Sequence, residues 1–329
     1  MPKKIKSIIT GGAGFIGSHL AEKLVSDGHK VIIIDNLKNG NLRNLKEIKN
    51  KITFVKADIS INNNWANHFK NANNVFHLAA LADIVPSISK PKEYFDTNVT
   101  GTFNVLEACK SNSNARLIYC ASSTCYGIPK TYPTPESYSI STKYPYALTK
   151  YLGEQLVMHW SSVYKVKSIS LRLFNVYGER SRTTGTYGAV FGVFLAQKLA
   201  KKPFTVVGTG KQKRDFTYVK DVVEAMVLAS KSSKYGEIYN VGSGKAISIN
   251  KIVSLLVGDK VYLPKRPGEP DITFADIKKI KAHLKWKPKT TIEKGINILL
   301  NNMSHWKSAP VWTVKKINKA TKVWFQFLK

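Results

Sequence analysis

The sequence predicts an α/β protein built on a parallel, doubly wound sheet, with a smaller, discontinuous α/β second domain. Three observations carry that reading. Short apolar runs alternate with helix-period segments through the first half of the chain. A glycine-spaced turn joins the first run to the first helical segment. After Phe174 the rhythm breaks into Gly- and Arg-rich stretches at Gly178 to Gly188, Gly208 to Arg214 and Pro264 to Pro270, set among helical patterns.

The first element is the apolar run Ile5 to Ile9, followed by Thr10-Gly11-Gly12-Ala13-Gly14-Phe15-Ile16-Gly17, an amphipathic segment from Ile16 to Val25, and a second run, Val31 to Ile34, that ends in Asp35. This order is a dinucleotide-binding βαβ unit. Gly11, Gly14 and Gly17 permit a tight turn, close approach to a pyrophosphate and packing of helix on strand. Phe15 and Ile16 open the helix whose free N–H groups face the phosphate charge, and they are grouped with the glycines as cofactor-binding residues. Asp35 is placed to accept hydrogen bonds from an adenosine ribose. A carboxylate there repels a 2′-phosphate, which favours NAD over NADP, although Lys38 three residues on pulls the other way.

Further apolar runs at Ile52 to Val55, Val75 to Leu78, Leu117 to Cys120 and Ser168 to Leu173 read as strands. Tyr94 to Lys110 and Pro145 to Tyr164 read as helices, and Glu237 to Gly242 as a late strand that returns to the sheet. The expected organisation is a nucleotide-binding domain over residues 1–174 with the late strand at 236–242, a mainly substrate-binding domain over 175–308, and a C-terminal basic amphipathic helix over 309–329. In that helix Thr313 is the expected cap, and Val314, Ile317, Thr321, Trp324, Phe325 and Leu328 share a face. Packing back onto its own domain is the expected use of that face, with a membrane or partner contact as the alternative.

Composition narrows the function. In 329 residues no run approaches the ~18 consecutive apolar residues of a membrane helix, and the Met-Pro-Lys-Lys start lacks a signal-peptide core, so the expected location is cytoplasmic. Cys109, Cys120 and Cys125 have no metal-ligand spacing and are odd in number, which favours reduced thiols. No HxxxH or HExxH pair occurs among the seven histidines, and no metal is expected. The formal charge of +30 raises nucleic acid or an acidic membrane as partners. The lysines, however, are scattered through the chain rather than forming a block, and the expected partner is an anionic substrate.

The chemistry centres on Tyr146-Ala147-Leu148-Thr149-Lys150. Helical spacing brings the Lys150 ammonium towards the Tyr146 phenol. Together with a positive nicotinamide ring it is expected to lower the phenol's pKa and make it a general base. Tyr126 and Lys130 share this spacing, but Gly127 and Pro129 between them preclude a regular helix. Ala121-Ser122-Ser123-Thr124 follows the strand ending at Cys120, at the carboxyl edge of the sheet, where hydroxyls can bond a sugar and relay its proton to Tyr146.

With these motifs the chain resembles the extended short-chain dehydrogenase/reductase family, and within it the nucleotide-sugar epimerases of the UDP-glucose 4-epimerase type, on a Rossmann-type fold. The resemblance extends through Asp58-Ile59, His77-Leu78-Ala79-Ala80, Asn98-Val99-Thr100-Gly101-Thr102, Arg172 to Gly178, Arg214-Asp215-Phe216 and Arg266-Pro267-Gly268-Glu269, and stops near Ala309. It implies that Asp35 and Asn36 hold the adenosine ribose and Asp58 and Ile59 the adenine. Leu78, Ala79, Ala80 and Asn98 complete the cofactor site, and Lys150 holds the nicotinamide ribose. Tyr146, Lys150 and Ser122 become the catalytic set. Ser122, Ser123 and Thr124 face the sugar, while Asn175, Arg214 and Arg266 grip the nucleoside diphosphate, since guanidinium forks match phosphate oxygens.

The implied reaction inverts C4 of a nucleoside-diphosphate sugar through a 4-keto intermediate, with NAD as a tightly held prosthetic group and a homodimer as the usual assembly. Related dehydratases and decarboxylases carry acids where this chain has Ser123-Thr124, so those reactions lack an evident proton partner. A related dehydratase, decarboxylase or epimerase at another carbon is the enzymatic rival. A non-catalytic dinucleotide-binding protein using its basic surface is the rival of another class. Alignment of Phe274-Ala275-Asp276 places Thr273 beside the sugar C2, where a small residue leaves room for an N-acetyl group.

Overall fold

The computed structural model describes residues 4–61, 63–112, 114–181 and 190–328. It opens with β1 (Lys6–Thr10), α1 (Phe15–Ser26), β2 (Lys30–Asp35), β3 (Ile52–Lys56) and β4 (Asn74–His77). There follow α2 (Ile84–Ser89), α3 (Pro91–Phe95), α4 (Gly101–Lys110), β5 (Arg116–Ser122), α5 (Pro145–Val163) and β6 (Lys167–Leu173). The helix expected over Tyr94 to Lys110 is interrupted by a wide π-type turn at Asp96–Thr100. That turn swings Asn98 inward, where its side chain accepts from the Leu81 N–H at 2.8 Å and donates to the Leu81 carbonyl at 3.0 Å.

The second half contains β7 (Asn175–Tyr177), α6 (Val190–Leu199), β8 (Phe204–Val207), β9 (Lys213–Arg214), β10 (Phe216–Tyr218), α7 (Val219–Lys231) and β11 (Glu237–Val241). After these come β12 (Ile247–Ser248), α8 (Ile249–Leu256), β13 (Lys260–Leu263), α9 (Lys278–Leu284), α10 (Ile292–Asn301) and α11 (Val314–Phe327). Of the Gly178 to Gly188 stretch, residues 182–188 lie outside the described residues.

Seven strands form one parallel sheet in the order β11-β6-β5-β4-β1-β2-β3. Its runs are apolar without alternation because helices cover both faces. Ile8, Ile9, Ile33 and Ile34 have no exposed surface, and burial of each stabilises the fold by about 1.5–3 kcal/mol. The order reverses between β1 and β4, and a crevice opens there at the carboxyl ends of the strands.

More of the second half returns to this sheet than the late strand alone. Val222, Val223 and Met226 of α7 and Ile280 and Leu284 of α9 join the core beneath it. A second apolar core forms from β7, α6, β8, β10, α8 and α10, with Phe191, Phe194, Phe204, Ile252 and Leu299 inside. On α11 the Thr313 hydroxyl accepts from the Lys316 N–H at 3.3 Å. Ile317, Thr321 and Trp324 are buried, whereas Val314 and Phe325 are exposed, so the packed stripe is narrower than the sequence pattern suggests. Among the described residues no helix is long and apolar enough to cross a membrane, and no group of three or more His, Cys, Asp or Glu could hold a metal.

Candidate active site

A cavity of about 620 Å³ runs from the glycine turn, across the sheet's carboxyl edge, to the second core. At one end Gly11 adopts φ +74°, and a Cβ on it would lie 2.7 Å from the Ala79 amide nitrogen. Gly17 is as constrained, since its Cβ would overlap the Gly11 carbonyl oxygen. Only glycine lets the turn come this close to the chain leaving β4. Helix α1 begins at Gly14 without a side-chain cap, so its first N–H groups are free to meet an anion, and Gly11, Gly14, Phe15, Ile16 and Gly17 all line the cavity. This cradle fits the diphosphate of a dinucleotide.

Asp35 closes the cradle. Its carboxylate accepts from the Ala13 N–H at 2.9 Å and the Leu37 N–H at 2.8 Å, while burial raises its pKa against those bonds. Further lone pairs remain for a ribose. The Asn36 amide donates to Asp58 at 2.8 Å. Burial pushes the Asp58 carboxyl up, but hydrogen bonds from Ser60 and Asn36 outweigh it and hold the pKa below its ordinary value. Ile59, Leu78, Ala79 and Ala80 complete this wall. Lys38, the residue that argued for a 2′-phosphate, is paired with Glu93 at 2.6 Å.

At the centre Pro145 starts α5, placing Tyr146 and Lys150 one turn apart and both on the cavity. Ser122 lies near enough to the Tyr146 phenol to draw its pKa down, and its hydroxyl lies 2.8 Å from that of Thr124. Tyr94 meets the Tyr146 ring edge-on at 6.5 Å, and Tyr144 stacks on it at 6.5 Å. Burial in these surroundings pushes the phenol up to about 12 despite the opposing influence of Ser122. The Lys150 ammonium lies over the Tyr119 ring, 4.3 Å from its centre, and burial brings its own pKa down to about 8. Tyr126, the rejected copy, donates from its hydroxyl to Asn240 at 2.7 Å and accepts from Arg172 at 2.9 Å, in the core.

At the far end the Arg266 guanidinium lies 2.9 Å from one oxygen of Glu269, and that of Arg214 lies 3.8 Å from the other. Both arginines line the cavity with Asn175, Ser122, Ser123 and Thr124. Two expected site residues do not. Asn98 sits behind the wall, bonded to Leu81 and Thr149. The Thr273 hydroxyl donates to the Asn175 side-chain amide oxygen at 3.0 Å and accepts from the Asp215 N–H, so it stands behind Asn175 rather than in the lining itself.

Conversely, Asp83, Tyr144 and Trp324 stand in or against the cavity without having been singled out. Asp83 carries a local sequence signal, since it follows the β4 motif by three residues at the sheet's carboxyl edge. Trp324 arrives from the far end of the chain, with no local signal.

A phosphate cradle at the switch point of a parallel sheet, opening into a cleft walled by Tyr146 and Lys150, defines a dinucleotide-binding protein of the Rossmann type. Residues 7–242 match the NAD dependent epimerase/dehydratase family, and the chain belongs to that family and takes NAD. It is similar to the Thermotoga maritima UDP-glucose 4-epimerase structure with UDP-glucose, with a TM-score of 0.86 and 31% identity covering 91% of this chain and 99% of that one. A Bacillus cereus UDP-glucuronic acid 4-epimerase in complex with UDP-glucuronic acid and NAD gives a TM-score of 0.84 and 30% identity, with the same coverage. Among sequences, a Bacillus cytotoxicus UDP-N-acetyl-alpha-D-glucosaminuronate decarboxylase is 34% identical over 318 residues, 89% of this chain and 96% of its own.

Proposed function

We propose that this enzyme is an NAD-dependent 4-epimerase of UDP-hexoses, interconverting UDP-glucose and UDP-galactose or their N-acetylated analogues. The observation that carries the proposal is the Tyr146 phenol, sharing one cavity with Ser122 and Lys150, between a dinucleotide cradle and two convergent arginines. A bound NAD would supply reversible hydride acceptance beside the sugar carbon.

The chain's own groups supply the rest. Tyr146, once ionised, takes the proton of the C4 hydroxyl, and Ser122 orients that hydroxyl and relays the proton. Lys150 provides positive charge beside the phenol and holds the nicotinamide ribose. Asp35, Asn36, Asp58 and Ile59 receive the adenosine, and Asn175, Arg214 and Arg266 the uridine diphosphate. Inversion requires the ketose to turn over between the two hydride transfers, and so a firm grip on the diphosphate with a loose one on the sugar. Ser123 and Thr124 are small and uncharged, which suits a sugar that turns and offers no acid for elimination.

We further propose that it works in the cytoplasm, where its three free thiols stay reduced, and as a homodimer through α4 and α5. Phe103, Leu148 and Val163 expose apolar surface on those helices.

Incubation with UDP-glucose, UDP-galactose, UDP-N-acetylglucosamine and UDP-glucuronate, followed by chromatography, tests the activity. One pair of C4 epimers should reach the same mixture from either side. Carbon dioxide from UDP-glucuronate, with no epimer formed, would overturn the proposal in favour of decarboxylation.

A further inference from the structure

The tail beyond Ala309 lies outside the family motifs of the sequence, yet it reaches the cavity. Trp312 accepts at its carbonyl from the Gln197 amide at 2.7 Å, Thr313 caps α11, and the spacing of Ile317, Thr321 and Trp324 turns one stripe of the helix inward. Trp324 is 1% exposed. Its indole N–H donates to the Pro267 carbonyl at 2.7 Å, and the neighbouring Arg266 guanidinium carbon lies 5.5 Å from its ring centre. On its other side is Tyr144, at 6.0 Å, which stacks on Tyr146.

We infer that Trp324 is a positioning residue of the substrate site: it holds Arg266 and the loop that carries it at the diphosphate end of the cavity. The inference rests on the proposed role of Arg266. An arginine side chain has many rotamers to lose on binding an anion. A cation held on an indole face, with the next residue's carbonyl tied to the same indole, has lost most of them beforehand. The C-terminal helix thereby sets affinity for the nucleotide without touching the cofactor cradle. It also links that affinity to the wall beside Tyr146.

Calorimetric titration of the full-length, NAD-loaded protein with UDP tests this, alongside the NAD released on denaturation. Trp324→Ala should weaken UDP binding at least tenfold with NAD content unchanged, and should raise KM more than it lowers kcat. Trp324→Phe, which keeps a ring and loses the N–H, should fall between the two, and it decides the matter if the alanine variant does not fold. Because Trp324 acts through Arg266, the double variant with Arg266→Ala should bind UDP no more than about twofold worse than Arg266→Ala alone. UDP affinity within twofold of the parent in both Trp324 variants, or losses that multiply in the double variant, would overturn the inference and leave the proposed function standing. If Arg266→Ala itself left UDP binding intact, the diphosphate grip would fail and this inference with it.

Discussion

The Lys150 ammonium lies 4.3 Å from the centre of the Tyr119 ring, and the Tyr119 hydroxyl donates back to the Lys150 carbonyl at 3.1 Å. The ring face offsets part of the cost of burying the cation. Burial still dominates and holds the pKa down to about 8, against the opposing influence of Cys120 and Glu154. Between about 8 and the ordinary 10.5 the unfolded chain binds this proton more readily than the folded one, so the group's contribution to stability rises with pH across that window. At neutral pH it costs on the order of 3 kcal/mol. Lys150→Met should therefore melt a few degrees higher than the parent near neutral pH, with the advantage shrinking towards pH 10, while turnover collapses. A lower melting temperature for the variant across that range would show that the ammonium supports the fold.

Tyr146→Phe should cut turnover by about 10²–10⁴-fold and leave NAD bound. Ser122 is the influence that draws the phenol's pKa downward against burial. Ser122→Ala should move the rising limb of the kcat/KM profile to higher pH, as well as lowering the plateau. A profile at the parent's pH would remove Ser122 from the proton path.

His77 is buried between two hydroxyls, Thr10 at 2.7 Å from Nδ1 and Thr102 at 2.9 Å from Nε2. Thr102 donates to the Asn98 carbonyl, so it accepts from Nε2–H, and Nδ1 accepts from Thr10. This neutral ring has no room for a second proton, and burial, with Lys150 nearby, pushes its pKa down to about 3. The unfolded chain binds that proton from about 6.5 downward, so stability is lost as pH falls through the window between the two values. Two pH units below 6.5 the loss from this residue is roughly 2–3 kcal/mol. Urea midpoints near neutral pH and near pH 4.5 should differ less in His77→Gln than in the parent; equal differences would locate the acid sensitivity elsewhere.

Glu154 and Arg172 form a buried ion pair at 2.6 Å that ties α5 to β6. Ser170 donates to the same carboxylate at 2.8 Å, and Arg172 also donates to Tyr126 and to the Glu136 carbonyl. Glu154→Ala leaves the guanidinium buried without its counter-charge and should cost about 3–5 kcal/mol in denaturant unfolding. Replacing both partners, Glu154→Leu with Arg172→Met, should recover much of that loss. A double variant as unstable as the single one would mean that the pair also shapes the packing of α5.

The strands, the glycine turn and the start of α5 were legible because each is a local property. An apolar run of strand length is recognisable without its neighbours, and Pro145 opens a helix whatever surrounds it. The same locality made Tyr146, Lys150 and Ser122 readable as candidates from spacing and position in the βα order. It also misled. A helical pattern over Tyr94 to Lys110 contains no mark of the turn at Asp96–Thr100 that swings Asn98 behind the cavity wall. Nor does the sequence around Thr273 contain any mark of the bond its hydroxyl makes to the Asn175 side chain, 98 positions away.

By itself, then, the sequence determined the parallel α/β framework, the dinucleotide cradle and the identity of the central Tyr, Lys and Ser, because backbone conformation and hydrophobic periodicity act over a few residues. Tertiary structure alone decided which side chains face the cavity, that Trp324 stands against Arg266 across 57 intervening positions of chain, and that the phenol is raised and the ammonium lowered. Burial and long-range contact set those properties, and neither exists until distant segments have packed together.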